Sequence, residues 1–211
     1  MALTIKEQIY NAIWEGITNG EYRPDHVFNE KTLVEKYQVS KSPVRDALIE
    51  LCSDGILRSI PRYGYEIVRI SSKQLWEITR LRLLIESDNL ELMMGRFSEV
   101  QIAQLKAHTM KTDHMLQNGD LSIRMHWNNN IDFHKLLYSM SNNEFGASLL
   151  ERCMKSQTMA YSMSCLYAEN SNKLLSTTLH WEIIHHIEKN DRDGAINALK
   201  SDLESFPSNM F

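Results

Sequence analysis

Apolar positions in the N-terminal part of the chain change period as they are followed. Ile9, Ile13 and Ile17 recur every four residues between Ile5 and Asn19, which predicts an amphipathic helix that Gly20 stops, with Pro24 opening the next connection. Asn29 is placed to cap a second short helix that turns Leu33 and Tyr37 inward. After a turn through Gln38 and Val39, Ser40 stands as N-cap of a third helix. Pro43 falls in its first turn, and Val44, Leu48 and Leu51 line its inner face. The period then drops to two. An apolar run from Ile56 to Ile60, the turn Pro61-Arg62-Tyr63-Gly64 and an alternating run from Tyr65 to Ile70 predict a β-hairpin. Helix, helix, tight turn, helix and hairpin together predict a winged helix-turn-helix.

From Ser71 onward the pattern is helical, because proline is absent until Pro207 and glycine falls where helices end. Ser71 or Ser72 caps a helix from Lys73 to Gly95, with Leu75, Ile78, Leu81, Ile85, Leu92 and Met93 along its apolar face. Further helices are expected at Glu99 to Asn118, Leu121 to Met140, Glu144 to Leu166, Leu174 to Lys189 and Arg192 to Glu204. The fold class is therefore mainly α. An N-terminal winged helix over 1–70 is followed by a linker over 71–76 and, over 77–211, an antiparallel bundle. That bundle has six helices, or seven if the fourth breaks near Tyr161 to Tyr167.

Composition limits the partners more than it names them. A chain of 211 residues can bury two cores. The net charge of -4 and a nearly neutral N-terminal domain provide no broad basic field, so affinity for nucleic acid has to come from a few placed cations. Cys52, Cys153 and Cys165 are odd in number and lack C-x-x-C spacing, which points to a reducing cytoplasm. No leader and no apolar run long enough to cross a bilayer are evident, so no membrane partner is expected.

The third helix supplies the cations. Lys41 and Arg45, four residues apart, point outward from its N-terminal end. A guanidinium matches guanine O6 and N7 bidentately, which makes Arg45, with Lys41 beside it, a candidate for major-groove readout. Ser40 and Ser42, with the free N–H groups of the helix end, suit a phosphate oxygen. The bland alternative is a solvated face, and it fits a lone lysine better than Arg45.

The run Val39-Ser40-Lys41-Ser42-Pro43-Val44-Arg45-Asp46-Ala47-Leu48, then Leu51, Gly55, Ile56 and Leu57, then Pro61-Arg62-Tyr63-Gly64, resembles the DNA-binding domain of the GntR family of bacterial transcription regulators. Pro24-Asp25 departs from the family's usual Pro-Gly. The resemblance implies that Lys31 is a further basic DNA contact and that Arg62, Tyr63 and Gly64 form a wing tip against the minor groove or backbone. It also implies a double-stranded operator, and a two-fold homodimer would place its recognition helices on the half-sites of a palindrome.

Polar residues interrupt apolar stripes in the second domain. Asn130 and His134 share a stripe with Ile123, Trp127 and Leu137; His180 heads one continued by Ile183, Ile184 and Ile187; Asp202 sits between Ala195, Leu199 and Phe206. Buried polar groups need partners, so the four are expected to converge on one another or on a ligand. This domain resembles the all-helical effector (FCD-type) domain of the FadR branch, through Arg82, Glu86, Asp120, Phe133-His134, Asn143, His180, Asp191 and Ala195. Many members of that branch bind a divalent metal through Asp, His, His and His. The corresponding positions here are Asn130, His134, His180 and Asp202, and an amide oxygen is a weak ligand for zinc.

Three readings of the cluster compete. It holds zinc, nickel or manganese, or it binds a carboxylate-bearing effector without metal, or its members only satisfy one another. His126, His185 and His186 are substitutes, whereas His26, His108 and His114 read as structural or surface residues. Arg152 either neutralises an acidic effector or pairs at the surface with Glu151. Met154, Met159 and Met163 either line an adaptable pocket or fill gaps in the core.

The resemblance implies a ligand-responsive regulator, usually a repressor relieved by a metabolite, with residues 69–76 as the joint between the domains. The rival from another class is a metal-dependent helical-bundle hydrolase. Against it, no H-E-x-x-H and no nucleophile motif is present. A structural adaptor is the third option, disfavoured by the polar cluster.

Overall fold

The computed structural model describes residues 2–120, 122–167 and 176–205, with the side chains of Ile123 and of residues 164–167 excepted. Expectations for Leu121, Cys165, Leu174 and Phe206 therefore lie outside the described residues. The chain divides into two compact units, residues 1–71 with 155–170, and residues 72–154 with 171–211.

In the first unit, Thr4 starts α1 (Ile5–Thr18) through a capping box with Glu7. A short strand, β1 (Val27–Phe28), precedes α2 (Glu30–Tyr37), where Asn29 accepts a hydrogen bond from Lys31 N. Gln38, in the left-handed region at φ 53°, ends α2 and turns the chain into α3 (Lys41–Ser53). Ser40 is the N-cap in backbone conformation, yet its hydroxyl makes no capping bond. An N-cap oxygen usually accepts from the second or third helical N–H, and here the third residue is Pro43, which has none.

β2 (Leu57–Ile60) and β3 (Gly64–Ile67) form the expected hairpin, and β1 adds to its free side, so the antiparallel order is β1-β3-β2. Glu66 lies opposite Val27 on one side and Arg58 on the other. Gly64, at φ 136°, is required at the wing root because a Cβ there would lie 2.4 Å from the Phe28 carbonyl oxygen. The core of this unit packs Ile9, Ile13 and Ile17 against Leu33, Val44, Leu48, Leu51, Phe28, Ile56 and Ile67. It also contains Met159, from the second half of α7 (Glu144–Tyr167), with Met163 packed against it. In the same unit, Lys155 pairs with Asp54 at 2.8 Å, and the Tyr10 hydroxyl donates to that carboxylate. Desolvation and the bond to Asp54 push the Tyr10 hydroxyl up to about 12.

The second unit is built from α4 (Ser72–Met93), α5 (Glu99–Gln117), α6 (Ile123–Ser139), the first half of α7, α8 (Thr178–Glu188) and α9 (Arg192–Ser205). Ser98 caps α5 in a box with Gln101, and Ser122 caps α6. Residues 72–76, expected as connection, are the first turn of α4. α7 continues unbroken through Tyr161 to Tyr167, which leaves six helices after the hairpin among the described residues. Leu90, Leu105, Phe133, Leu137, Ile183, Ile184, Ala195, Leu199 and Leu203 form its core.

The face that α4 buries differs from the one its hydropathy predicts. Leu75 is buried as expected, but so are Thr79, Arg82, Glu86 and Asn89, while Leu81 and Leu92 are 47% and 56% exposed. The buried stripe keeps a four-three spacing but is largely polar. No described helix is long and apolar enough to cross a membrane.

Candidate functional site

Because Val44, Ala47, Leu48 and Leu51 are buried in the core, α3 must present its other side outward. Ser40, Lys41, Ser42 and Arg45 are exposed there, as is Lys31 at the start of α2. The hairpin brings Arg62 and Tyr63 to the same face, Arg62 in the left-handed region at φ 66° and Tyr63 65% exposed. A groove of about 560 Å³ lies among Lys31, Lys41, Arg62, Tyr63, Gly64 and Tyr65, with Glu30 in its wall. Glu30 Oε2 pairs with Lys41 Nζ at 3.1 Å, and Glu30 Oε1 accepts from the Tyr65 hydroxyl at 3.1 Å. Burial works against the Glu30 anion, but Lys41, Tyr65 and Arg45 outweigh it and hold its pKa below the usual carboxylate value. Ser42 donates to Asp46 Oδ2 at 3.3 Å.

A second polar constellation occupies the core of the other unit. Arg82 Nε donates to Glu86 Oε1 at 2.7 Å, His134 Nδ1 lies 2.7 Å from Glu86 Oε2, and His134 Nε2 lies 2.7 Å from Asp202 Oδ2. Charges of alternating sign thus run from α4 through α6 to α9, with Arg82, Glu86 and His134 all at most 3% exposed. Burial disfavours a charged His134, yet the Glu86 charge and the two carboxylate hydrogen bonds prevail and raise its pKa to about 9. Glu86 and Asp202 are correspondingly held low against burial, Glu86 by Arg82 first and Asp202 by His134 first.

His180 sits beside this chain in the opposite state. It stacks on Phe133 with ring centroids 3.8 Å apart, and its Nε2 accepts from the Asn130 amide at 3.1 Å. Burial, which the nearby Asp202 charge only partly offsets, lowers its pKa to about 3, so it is neutral. Asn130, His134, His180 and Asp202 therefore meet as the helical stripes predict. Arg152 does not join them. It is exposed on α7, whose buried stripe is Leu150, Cys153, Met154 and Gln157.

Comparison with known proteins places both halves. Residues 5–67 match the bacterial regulatory proteins of the gntR family, and residues 77–205 match the FCD domain. The chain belongs to the GntR family. It is a transcriptional regulator with an FCD effector domain, in keeping with the FadR-like branch. GntR regulators are non-enzymatic DNA-binding proteins, which overturns the hydrolase reading.

One relative is the uncharacterized HTH-type transcriptional regulator YdhC of Bacillus subtilis (strain 168), 32% identical over 147 residues, a match covering 68% of this chain and 64% of that protein. Another is the HTH-type transcriptional repressor RspR of Escherichia coli (strain K12), 22% identical across 98% of this chain and 89% of its own. Among solved structures, E. coli McbR/YncC superposes with a TM-score of 0.78 at 21% identity, covering 97% of this chain and 95% of that one, which speaks to fold alone.

The donor set of this GntR member fits a divalent cation. His134, His180 and Asp202 each offer one ligand atom, all within 4.8 Å of one another. Glu86 accepts from His134 Nδ1 and so aims Nε2 at Asp202, the arrangement that orients a metal-bound imidazole. His134 would give up its Nε2 proton to serve as ligand, so binding is favoured as pH rises. Asn130 turns its NH2 toward His180 Nε2, the nitrogen that faces Asp202, so the amide adds no fourth ligand and would have to turn away for that nitrogen to bind a cation. A cation held there would supply a Lewis-acid anchor for an anionic effector.

Sequence reasoning passed over Arg82 and Glu86 as site residues. Their four-residue spacing on the stripe Leu75, Thr79, Arg82, Glu86, Asn89 is the signal that finds them.

Proposed function

We propose that this regulator is a cytoplasmic repressor that binds a palindromic operator as a homodimer and releases it when a small carboxylate-bearing metabolite enters the polar cluster of the FCD domain, anchored by a divalent metal on His134, His180 and Asp202. The observation that carries this reading is a pair of buried nitrogens without partners beside the cluster. His108 Nδ1 and His126 Nδ1 make no hydrogen bond among the described residues; the His108 ring lies 6.2 Å from that of Phe133, on which His180 stacks, and His126 stands one helical turn before Asn130 on α6. A buried imidazole nitrogen left unsatisfied costs free energy that an anionic ligand would recover.

A thermal-shift series with zinc, nickel and manganese, each alone and with sugar acids and amino acids, tests it. At a hundredfold excess over Kd a ligand stabilises by about 2.7 kcal/mol, or roughly 5–10 °C for a chain of this size. The active combination is expected to lower operator affinity as well, and His180→Ala is expected to lose both effects. A shift by a carboxylate that survives a chelator keeps the effector pocket and removes the metal.

Dimerisation is supported by α4. Opposite its buried stripe it exposes Leu81, Leu84 and Leu92, at 47%, 68% and 56%. An apolar strip on a helix in water is favourably covered by a like strip on a second copy. Leu84→Glu is expected to halve the sedimentation mass and, by removing avidity for two half-sites, to weaken operator binding by about 10²-fold or more. A dimer unaffected by that charge would move the interface elsewhere.

A further inference from the structure

The groove between α3 and the wing carries a feature that DNA affinity alone does not call for. Its described lining includes the cations Lys31, Lys41 and Arg62 and one acid, Glu30. A carboxylate facing a polyanion opposes binding, yet Glu30 is held in place from two sides, its Oε1 by the Tyr65 hydroxyl on β3 and its Oε2 by the Lys41 ammonium on α3. The carboxylate side chain is 22% exposed while that of Lys41 is 70% exposed. The fixed member of the pair is therefore the acid, and the free end is the lysine. An exposed pair of this kind adds little to stability, so its value lies in where it puts the charge.

We propose that Glu30 is a specificity-determining residue of the DNA interface, tethering Lys41 so that its ammonium addresses base edges in the major groove and is withheld from the phosphates. The inference rests on the reading of this groove as the DNA-binding face. An ammonium has three N–H donors. One is taken by Glu30, and the remaining two suffice for guanine O6 and N7. A tethered lysine loses less freedom on reading a base and is a poorer partner for the backbone of an arbitrary sequence. Removal of the tether converts a sequence contact into one more phosphate contact, which is sequence-independent and salt-sensitive. Tyr65 holds the acid to the wing root, so the hairpin sets the position of a side chain on the recognition helix.

Glu30→Gln keeps the shape and an acceptor for Tyr65 while removing the charge. Full-length protein is titrated by fluorescence anisotropy, at several salt concentrations, onto a random-sequence duplex and onto a duplex selected from a randomised pool by the wild type. One added phosphate contact steepens the salt dependence on the random duplex by about 0.9 and tightens binding roughly eightfold at ~0.1 M salt. Binding to the selected duplex is expected to weaken several-fold, with the melting temperature within ~2 °C of wild type. In a Lys41→Met background Glu30→Gln is expected to shift both duplexes equally, through the lost repulsion alone, so that the ratio of the two affinities stays fixed, and Tyr65→Phe, which frees the acid from the wing root, is expected to lower that ratio in the same direction as Glu30→Gln but by less. Unchanged affinities and slope in Glu30→Gln, or the same change in ratio persisting without Lys41, would overturn the assignment while leaving the groove as the DNA face. Wild-type protein that binds neither duplex would overturn both.

Discussion

Arg45→Ala is expected to abolish specific operator binding while leaving the fold intact. Arg45 is exposed on α3, and the opposite side of that helix is locked by Val44, Ala47, Leu48 and Leu51, none of them measurably exposed. Truncating it removes no core contact, and a surface change of this kind stays within about 0.5 kcal/mol of wild-type stability. A bidentate arginine–guanine contact is worth about 1–3 kcal/mol of discrimination. The proposed dimer would use two, so about 2–6 kcal/mol is at stake, or roughly 30-fold to 10⁴-fold in affinity. Anisotropy on a selected duplex, paired with a thermal melt of the same preparation, reads both halves of the expectation. A variant that stays within about threefold of wild type on that duplex sinks the role given to Arg45.

The largest expected loss of stability belongs to Glu86→Ala. Glu86 is 3% exposed and stands between Arg82 and His134, at 2% and 0%, so its removal leaves two buried cations facing each other across an empty acceptor site. Breaking a buried ion pair from one side costs about 3–5 kcal/mol, which for a chain of this length is roughly 6–20 °C in Tm. The pH dependence follows from the two shifts. Glu86 is lowered from 4.5, so its contribution is present above that value and fades as pH falls below it. His134 is raised from 6.5 to about 9, so its contribution is complete below 6.5 and fades as pH rises toward 9. The wild type should therefore exceed the variant most between about pH 4.5 and 6.5, with the gap narrowing on both sides. Urea unfolding across that range measures it. A gap under about 1 kcal/mol at pH 5.5 would mean that the chain of charges is solvated rather than buried.

The winged helix was legible because its signals are local. Val39 to Leu48 carries its own helix period, outward cations and first-turn proline, and Pro61 to Gly64 its own turn. β1 escaped because a two-residue strand has no period to detect, and it forms only because β3 offers an edge. Ser40 is the N-cap as its position predicted, but its hydroxyl makes no capping bond, and the proline that marks the helix start removes one of the two N–H groups such a bond could use. Glu30 drew no attention because an acid beside a DNA face resembles any solvated charge until Lys41 and Tyr65 are seen on either side of it.

In the effector unit the stripes on α6, α8 and α9 pointed correctly to Asn130, His134, His180 and Asp202, whereas the face predicted for α4 was right at Leu75 but wrong at Leu81 and Leu92. Hydropathy puts leucines inside and charges outside. Leu81, Leu84 and Leu92 face out, and Arg82 and Glu86 face in. Those charges are tolerable inside only because His134, 48 residues beyond Glu86, and Asp202, 68 beyond His134, complete the pairing. Of the two readings of Arg152, the exposed position on α7 agrees with the surface one.

From its residues alone this chain declares a winged helix, a following helical receiver and the side chains from which an interface and a buried site can be made, because periodicity, turns and caps act over a few neighbours. Which charges are buried, that the second half of α7 completes the N-terminal core, and which carboxylate holds which cation were decided only when distant segments met. The free energy of a buried or tethered charge depends on its partner, and that partner lies far along the chain.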